Sequence, residues 1–224
     1  MDAEQTVRAD ATNSLLLIVD IQKEQDRWIR GEDQKTINPD HERKREIVPI
    51  VRDLAERARN AGVHVVYTQS IRNGTEPEFT VFGRIPILQV GTWHSEMAEE
   101  LTPQPKDLVV RKWGPDPWYQ TDFERVLRGL FPDPTKCNVI VTGGSVTGCA
   151  YFGIMGLYAR NYRMTILTDC VYGPIQQAVN HFSRTTYPTY PNIKLSRSDL
   201  IAFSAAPERS QEKAVPPMTS KAKA

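Results

Sequence analysis

Apolar residues recur along this chain in two rhythms. Short uninterrupted runs rich in Val, Ile and Leu fall at 15–19, 63–68, 108–111, 138–142 and 164–167, with a weaker one at 192–195. Runs of that length and composition predict buried strands. Between them, longer segments near 45–61, 95–101, 122–129, 149–161 and 175–184 alternate apolar and polar positions at helical spacing. Asn60-Ala61-Gly62 supplies a helix stop just before the second strand. Strands alternating with helices imply right-handed βαβ crossovers. The expected fold is therefore a single-domain α/β structure in three layers (α/β/α), around a mostly parallel six-stranded sheet of Rossmann-like order.

The ends and one connection depart from this rhythm. Residues 1–12 are polar and read as a flexible arm, leaving 13–205 as the folded domain. Residues 206–224 lack aromatic residues and hydrophobic periodicity, so a disordered tail is expected. The connection 69–93 carries Ile71, Phe79, Val81, Phe82, Ile85, Ile87 and Leu88, more apolar surface than a free loop usually shows to water. Covering by a second copy predicts a homodimer or homotetramer; folding back over its own site as a lid is the alternative.

Composition removes several function classes. The net charge of the 224 residues is +1, with both signs mixed throughout, which gives no footprint for nucleic acid or a membrane surface. No apolar run approaches the roughly 18–20 residues that span a bilayer. Met1-Asp2-Ala3-Glu4-Gln5 lacks the features of a signal peptide. Three cysteines, none closely paired, provide neither a disulfide framework nor a thiolate zinc cluster. A reduced cytoplasmic protein is the expectation.

The most informative segment lies after the fourth strand. Gly143-Gly144-Ser145-Val146-Thr147-Gly148 forms a glycine-rich turn, and Cys149 opens the following helix. A thiol in the first turn of a helix meets the positive end of the dipole, which favours thiolate. Unpaired N–H groups in such a turn can face a developing oxyanion. Most free cysteines are instead small buried apolar residues, and this segment alone leaves both readings open.

Ligands of open α/β sheets bind beyond the C-terminal strand ends. The first strand ends in Asp20 and the third in Lys112. Asp20 alone could be a helix N-cap, and Lys112 alone a solvated lysine. An acid, an ammonium and a thiol at three such ends form a site for a thiol hydrolase, where the carboxylate accepts the thiol proton.

These residues resemble a known family. Val19-Asp20-Ile21-Gln22, Val110-Arg111-Lys112-Trp113 and the run Val141 to Cys149 are similar, in order and separation, to the signature segments of the isochorismatase-like cysteine hydrolases over about residues 12–205. The likeness is to the metal-independent amidase branch, of the N-carbamoylsarcosine amidase kind. It implies a catalytic Asp20–Lys112–Cys149 triad, a cis peptide between Gly144 and Ser145, and an oxyanion hole from the N–H groups of Ser145 and Cys149. The chain departs from the family pattern at Gln25 and Val146. Family nicotinamidases bind a metal through an Asp-x-His pair after the second strand. Here Ser70-Ile71-Arg72 stands there, and His41, His64, His94 and His181 are scattered, so neither metal nor other cofactor is expected. His64, inside an apolar strand, reads as a structural histidine. Gln22, Trp28, Trp113 and Trp118 are candidates for contact with substrate.

The expected function is hydrolysis of a C–N amide bond in a small carboxamide, ureido or carbamoyl compound through a thioester. The alternatives are a vinyl-ether hydrolase of the isochorismatase type and a non-catalytic scaffold that keeps the fold.

Overall fold

The computed structural model describes residues 6–23, 39–83, 88–173 and 176–205. The expected tail at 206–224 lies outside the described residues. Among the described residues the strands are β1 (Val7–Ala9), β2 (Ser14–Val19), β3 (His64–Ser70), β4 (Leu108–Lys112), β5 (Asn138–Gly144), β6 (Arg163–Tyr172), β7 (Ile193–Ser196) and β8 (Ile201–Phe203). The helices are α1 (Pro39–Asn60), α2 (Pro77–Thr80), α3 (Phe123–Leu130), α4 (Cys149–Ala159) and α5 (Gln176–His181).

Six strands form one sheet in the order β4-β3-β2-β5-β6-β7, and every pairing in it is parallel. Counted along the chain, that order is the doubly wound arrangement expected from the alternation of strands and helices. It reverses direction between β2 and β5, where open parallel sheets leave a crevice at their C-terminal edge. Both faces are covered, so the central strand β2 is buried at every residue. Leu15, Leu17 and Val19 meet α3 and α4 on one face, while Leu16 and Ile18 meet α1 on the other. On α1 the buried set Ile47, Val51, Leu54, Ala55 and Ala58 recurs at helical spacing. That helix ends in a Schellman turn: Val63 N–H donates to Ala58 O, Gly62 N–H donates to Arg59 O, and Gly62 has φ 75°.

Three expectations need correction. Within the arm at 1–12, Val7–Ala9 is a strand that pairs in parallel with Ile201–Phe203, so both chain ends of the domain are tied to each other. The helix expected at 95–101 is replaced by two 3-10 turns, Trp93–Ser95 and Glu99–Leu101. Between them the backbone is drawn out to bond residues 21–23, with Ala98 N–H to Ile21 O, Lys23 N–H to Glu96 O and a bridge from Gln22 to Met97. Tertiary hydrogen bonds there outweigh local helix propensity. His64 is exposed at the first position of β3, not enclosed within an apolar strand.

Among its described residues the connection 69–93 holds the short helix α2 and a bridge between Arg72 and Gln89. Its apolar residues divide. Ile71, Phe79 and Leu88 are buried by their own chain, whereas Val81 and Phe82 are 70% and 80% exposed. Ile85 and Ile87 lie outside the described residues.

Candidate active site

The site forms where β2, β3, β4 and β5 end. Side chains alternate along a strand, so Val66, Thr68 and Ser70 of β3 share one face, as do Val110 and Lys112 of β4. Val66 and Val110 pack against the layer that contains α4, which places Thr68, Ser70 and Lys112 on the face from which Cys149 projects. The parallel register sets Ser70 directly beside Lys112. By strict alternation, Asp20 would turn to the opposite face after Val19. Its φ of 48°, in the left-handed region that a non-glycine residue rarely adopts, turns the carboxylate back. Tyr172 Oη holds the turn by donating to Asp20 O at 3.0 Å.

The structure brings together the three residues singled out from the sequence. Lys112 Nζ lies 2.7 Å from Asp20 Oδ2 and donates to Cys149 Sγ at 3.1 Å and to Gly114 O at 3.0 Å. Thr68 Oγ1 donates to Asp20 Oδ1 at 2.7 Å. Asp20 and Lys112 are buried, and Cys149 is partly so. Burial alone would push the Asp20 carboxyl up, but the Lys112 charge, with hydrogen bonds from Lys112, Cys149 and Thr68, holds it below the usual carboxylate range. Burial likewise works against the Lys112 ammonium, but the charges and hydrogen bonds of Asp20 and Cys149 together outweigh it, so its pKa rises.

Cys149 differs from the thiolate expectation. Burial, reinforced by the Asp20 charge, pushes its thiol up to about 11, and Lys112 offsets only part of this. A helix N-terminus contributes on the order of 1 kcal/mol or less at such a position, under one pKa unit. Desolvation and the carboxylate therefore outweigh the helix end and the ammonium at Cys149.

The turn before Cys149 is shaped by two glycines. Gly143 has φ 88°, and a Cβ there would strike the Val19 backbone; a Cβ on Gly144 would come within 2.7 Å of Tyr172 O. The Gly144–Ser145 peptide bond is cis. Ser145 O accepts from the N–H groups of Gly148 and Ala150. Neither Ser145 N–H nor Cys149 N–H donates to a backbone carbonyl among the described residues. Val146, where the chain departs from the family pattern, is fully buried and its N–H donates to Tyr172 O, so its side chain packs under the turn.

The candidate substrate contacts fare differently. Gln22 is buried and consumed by backbone bonds: Nε2 donates to Ser70 O and Ser95 O at 2.8 Å each, and Oε1 accepts from Ser70 N–H at 2.9 Å. It shapes the end of β3 in place of the proposed contact with substrate. Trp118 is also a packing residue. Its ring meets Phe123 edge-on at 4.7 Å, lies 4.0 Å from the Arg160 guanidinium carbon and donates from Nε1 to Gly153 O at 3.3 Å. Trp113 follows Lys112 at the strand end and is 42% exposed. Trp28 and Gln25 lie outside the described residues. Among the described residues no three His, Cys, Asp or Glu side chains are grouped to hold a metal ion.

A doubly wound sheet with a carboxylate, an ammonium and a thiol at its switch point defines an isochorismatase-like hydrolase. The chain belongs to the isochorismatase family, whose Isochorismatase domain model matches residues 14–186. A ureidoacrylate amidohydrolase, RutB, of Methylorubrum extorquens is 24% identical over 193 residues, spanning 75% of this chain and 74% of its own. The crystal structure of N-carbamoylsarcosine amidase from Thermoplasma acidophilum is 25% identical, with a TM-score of 0.65 over 84% of this chain and 97% of its own. Nicotinamidase PncA from Bacillus subtilis shares the fold at 16% identity, with a TM-score of 0.65 over 83% and 99% of the two chains.

Proposed function

We propose that this protein is a metal-independent amidase that cleaves the C–N bond of a small ureido, carbamoyl or carboxamide compound through a thioester on Cys149. The observation that carries the reading is the convergence of a thiol, a carboxylate and an ammonium in one buried cluster, with Lys112 Nζ 3.1 Å from Cys149 Sγ and 2.7 Å from Asp20 Oδ2. Asp20 takes the thiol proton as sulfur attacks the carbonyl carbon, and Lys112 offsets the negative charge that sulfur would otherwise gain. The N–H groups of Ser145 and Cys149 receive the oxyanion of the tetrahedral intermediate. Asp20 then returns the proton to the leaving nitrogen, which departs as ammonia or an amine. A water deprotonated by Asp20 hydrolyses the thioester and frees the thiol.

The similar ureidoacrylate amidohydrolase and N-carbamoylsarcosine amidase favour a substrate with a carbamoyl nitrogen. A vinyl-ether hydrolase has no need of a nucleophile, and a scaffold has no need of a buried ion pair aimed at a thiol. Ammonia release across a panel of ureido acids, N-carbamoyl amino acids and simple carboxamides tests the reading. Turnover of at least one carbamoyl or ureido compound, with Cys149 trapped as an acyl adduct by mass spectrometry, is expected. Turnover without any adduct on Cys149 would remove the thioester.

A further inference from the structure

Ser70 takes no part in the three-residue scheme, yet its hydroxyl touches every member of it. Oγ accepts from Lys112 Nζ at 2.6 Å, donates to Asp20 Oδ2 at 2.9 Å and stands 4.0 Å from Cys149 Sγ. The residue is buried, and its backbone is held on both sides by the Gln22 side-chain amide.

The proton inventory gives this contact a purpose. An ammonium has three protons, and around Lys112 four acceptors compete for them: Ser70 Oγ, Gly114 O, Cys149 Sγ and Asp20 Oδ2. Ser70 Oγ and Asp20 Oδ2 lie close enough together to share one ammonium proton, and the Ser70 hydroxyl passes its own proton to Oδ2. The other two ammonium protons serve Gly114 O and the sulfur. A carboxylate offers about four lone-pair sites. Lys112 and Ser70 occupy Oδ2, and Thr68 takes one site on Oδ1. The remaining site is on Oδ1, the one position left for the thiol proton.

We infer that Ser70 is a fourth, positioning member of the site, which fixes the oxygen of Asp20 that accepts the Cys149 proton and keeps Lys112 aimed at the sulfur. The inference rests on the amidase reading for its catalytic meaning, but its test does not need a substrate. Alkylation of Cys149 by iodoacetamide also requires removal of the thiol proton, so its rate against pH reports on Asp20 directly.

Ser70→Ala removes one donor to the charged carboxylate, and a hydrogen bond of that kind is worth about one pKa unit or more. The acid limb of the Cys149 alkylation profile should move up by about one unit, with the rate at neutral pH, where Asp20 stays ionised in both proteins, changed less than the rate on the limb. Against any substrate found, kcat should fall about 10- to 100-fold, the range of a lost supporting contact, with KM within about twofold. Ser70→Thr keeps the hydroxyl and should restore both limbs. Circular dichroism and thermal melting establish that each variant is folded; if Ser70→Ala does not fold, the wild-type limbs expected of Ser70→Thr carry the test alone. An unshifted acid limb in folded Ser70→Ala, or equal losses in both variants, would overturn the inference and assign Ser70 to packing. Absence of amide turnover in wild type with the expected alkylation shifts would overturn the amidase reading and leave Ser70 in place.

Discussion

Lys112 Nζ lies 3.1 Å from Cys149 Sγ, and yet burial, reinforced by the Asp20 charge, pushes the thiol up to about 11. The ammonium is already neutralised by Asp20 at 2.7 Å, so little net positive field reaches the thiol. In the proposed mechanism the pair stores a nucleophile as thiol plus base and forms thiolate only as the proton moves to Asp20. Such a site reacts with an electrophile held in place while resisting chance oxidation, which follows thiolate character.

Cys149→Ala and Cys149→Ser should each lower turnover by about 10³-fold or more, as loss of a nucleophile does. The melting temperature should move little, because the side chain is small and only partly buried. Steady-state assays that retain more than about a tenth of the activity would rule out a thioester.

Iodoacetamide should label Cys149 ahead of Cys137 and Cys170. The last two are fully buried, and burial pushes Cys137 up to about 12 and Cys170 higher still. Asp20→Asn should slow labelling of Cys149 specifically, since the base is gone. Peptide mapping after short exposure gives the order; equal labelling of all three would contradict a distinct environment.

Asp20→Asn should also destabilise the fold. Asparagine tolerates the left-handed φ of 48°, so the backbone accepts it. What remains is a buried Lys112 without its anion, a loss of about 3–5 kcal/mol. For a domain of this size that is on the order of 10 °C in Tm. Pairing it with Lys112→Met should recover most of the loss without recovering activity. A single variant that melts like wild type would show that the pair is not buried as described.

Stability should decline in alkali. Cys149, Cys137 and Tyr67 are raised by burial to about 11, 12 and 12. The unfolded chain releases the cysteine protons from about pH 8.5 and the tyrosine proton from about 10, while the folded chain keeps them. The unfolded state then binds fewer protons, so unfolding free energy falls as pH rises, from about 8.5 until the folded groups titrate. Asp20 has the opposite sense: held below its usual range, it adds stability above about pH 4 that is lost as pH falls. Thermal melts between pH 7 and 10.5 should show the alkaline decline, and a flat profile would contradict it.

Exhaustive chelation should leave activity unchanged, because Ser70-Ile71-Arg72 stands where the family nicotinamidases carry an Asp-x-His pair. Restoration of a chelated enzyme by zinc or manganese would refute this.

The periodicity of the chain was enough to read six strands in sequence, and the strand ends were enough to single out Asp20, Lys112 and Cys149, whose side chains the fold brings together. Alternation of apolar runs and helices is a local property, and in a doubly wound sheet it leads almost directly to topology. Gly143-Gly144 before a cysteine is likewise a local sign of a tight turn. What the sequence left open was decided by contacts between distant segments. Ser70 escaped notice because β3 runs two residues past its apolar core, and only the register with β4 sets it beside Lys112. Gln22 and Trp118 resembled pocket residues until their partners, Ser95 and Arg160, were placed by the fold. The raised pKa of Cys149 depends on the sum of burial, a carboxylate and an ammonium. Burial and long-range electrostatics belong to the assembled structure, and no stretch of sequence carries them alone.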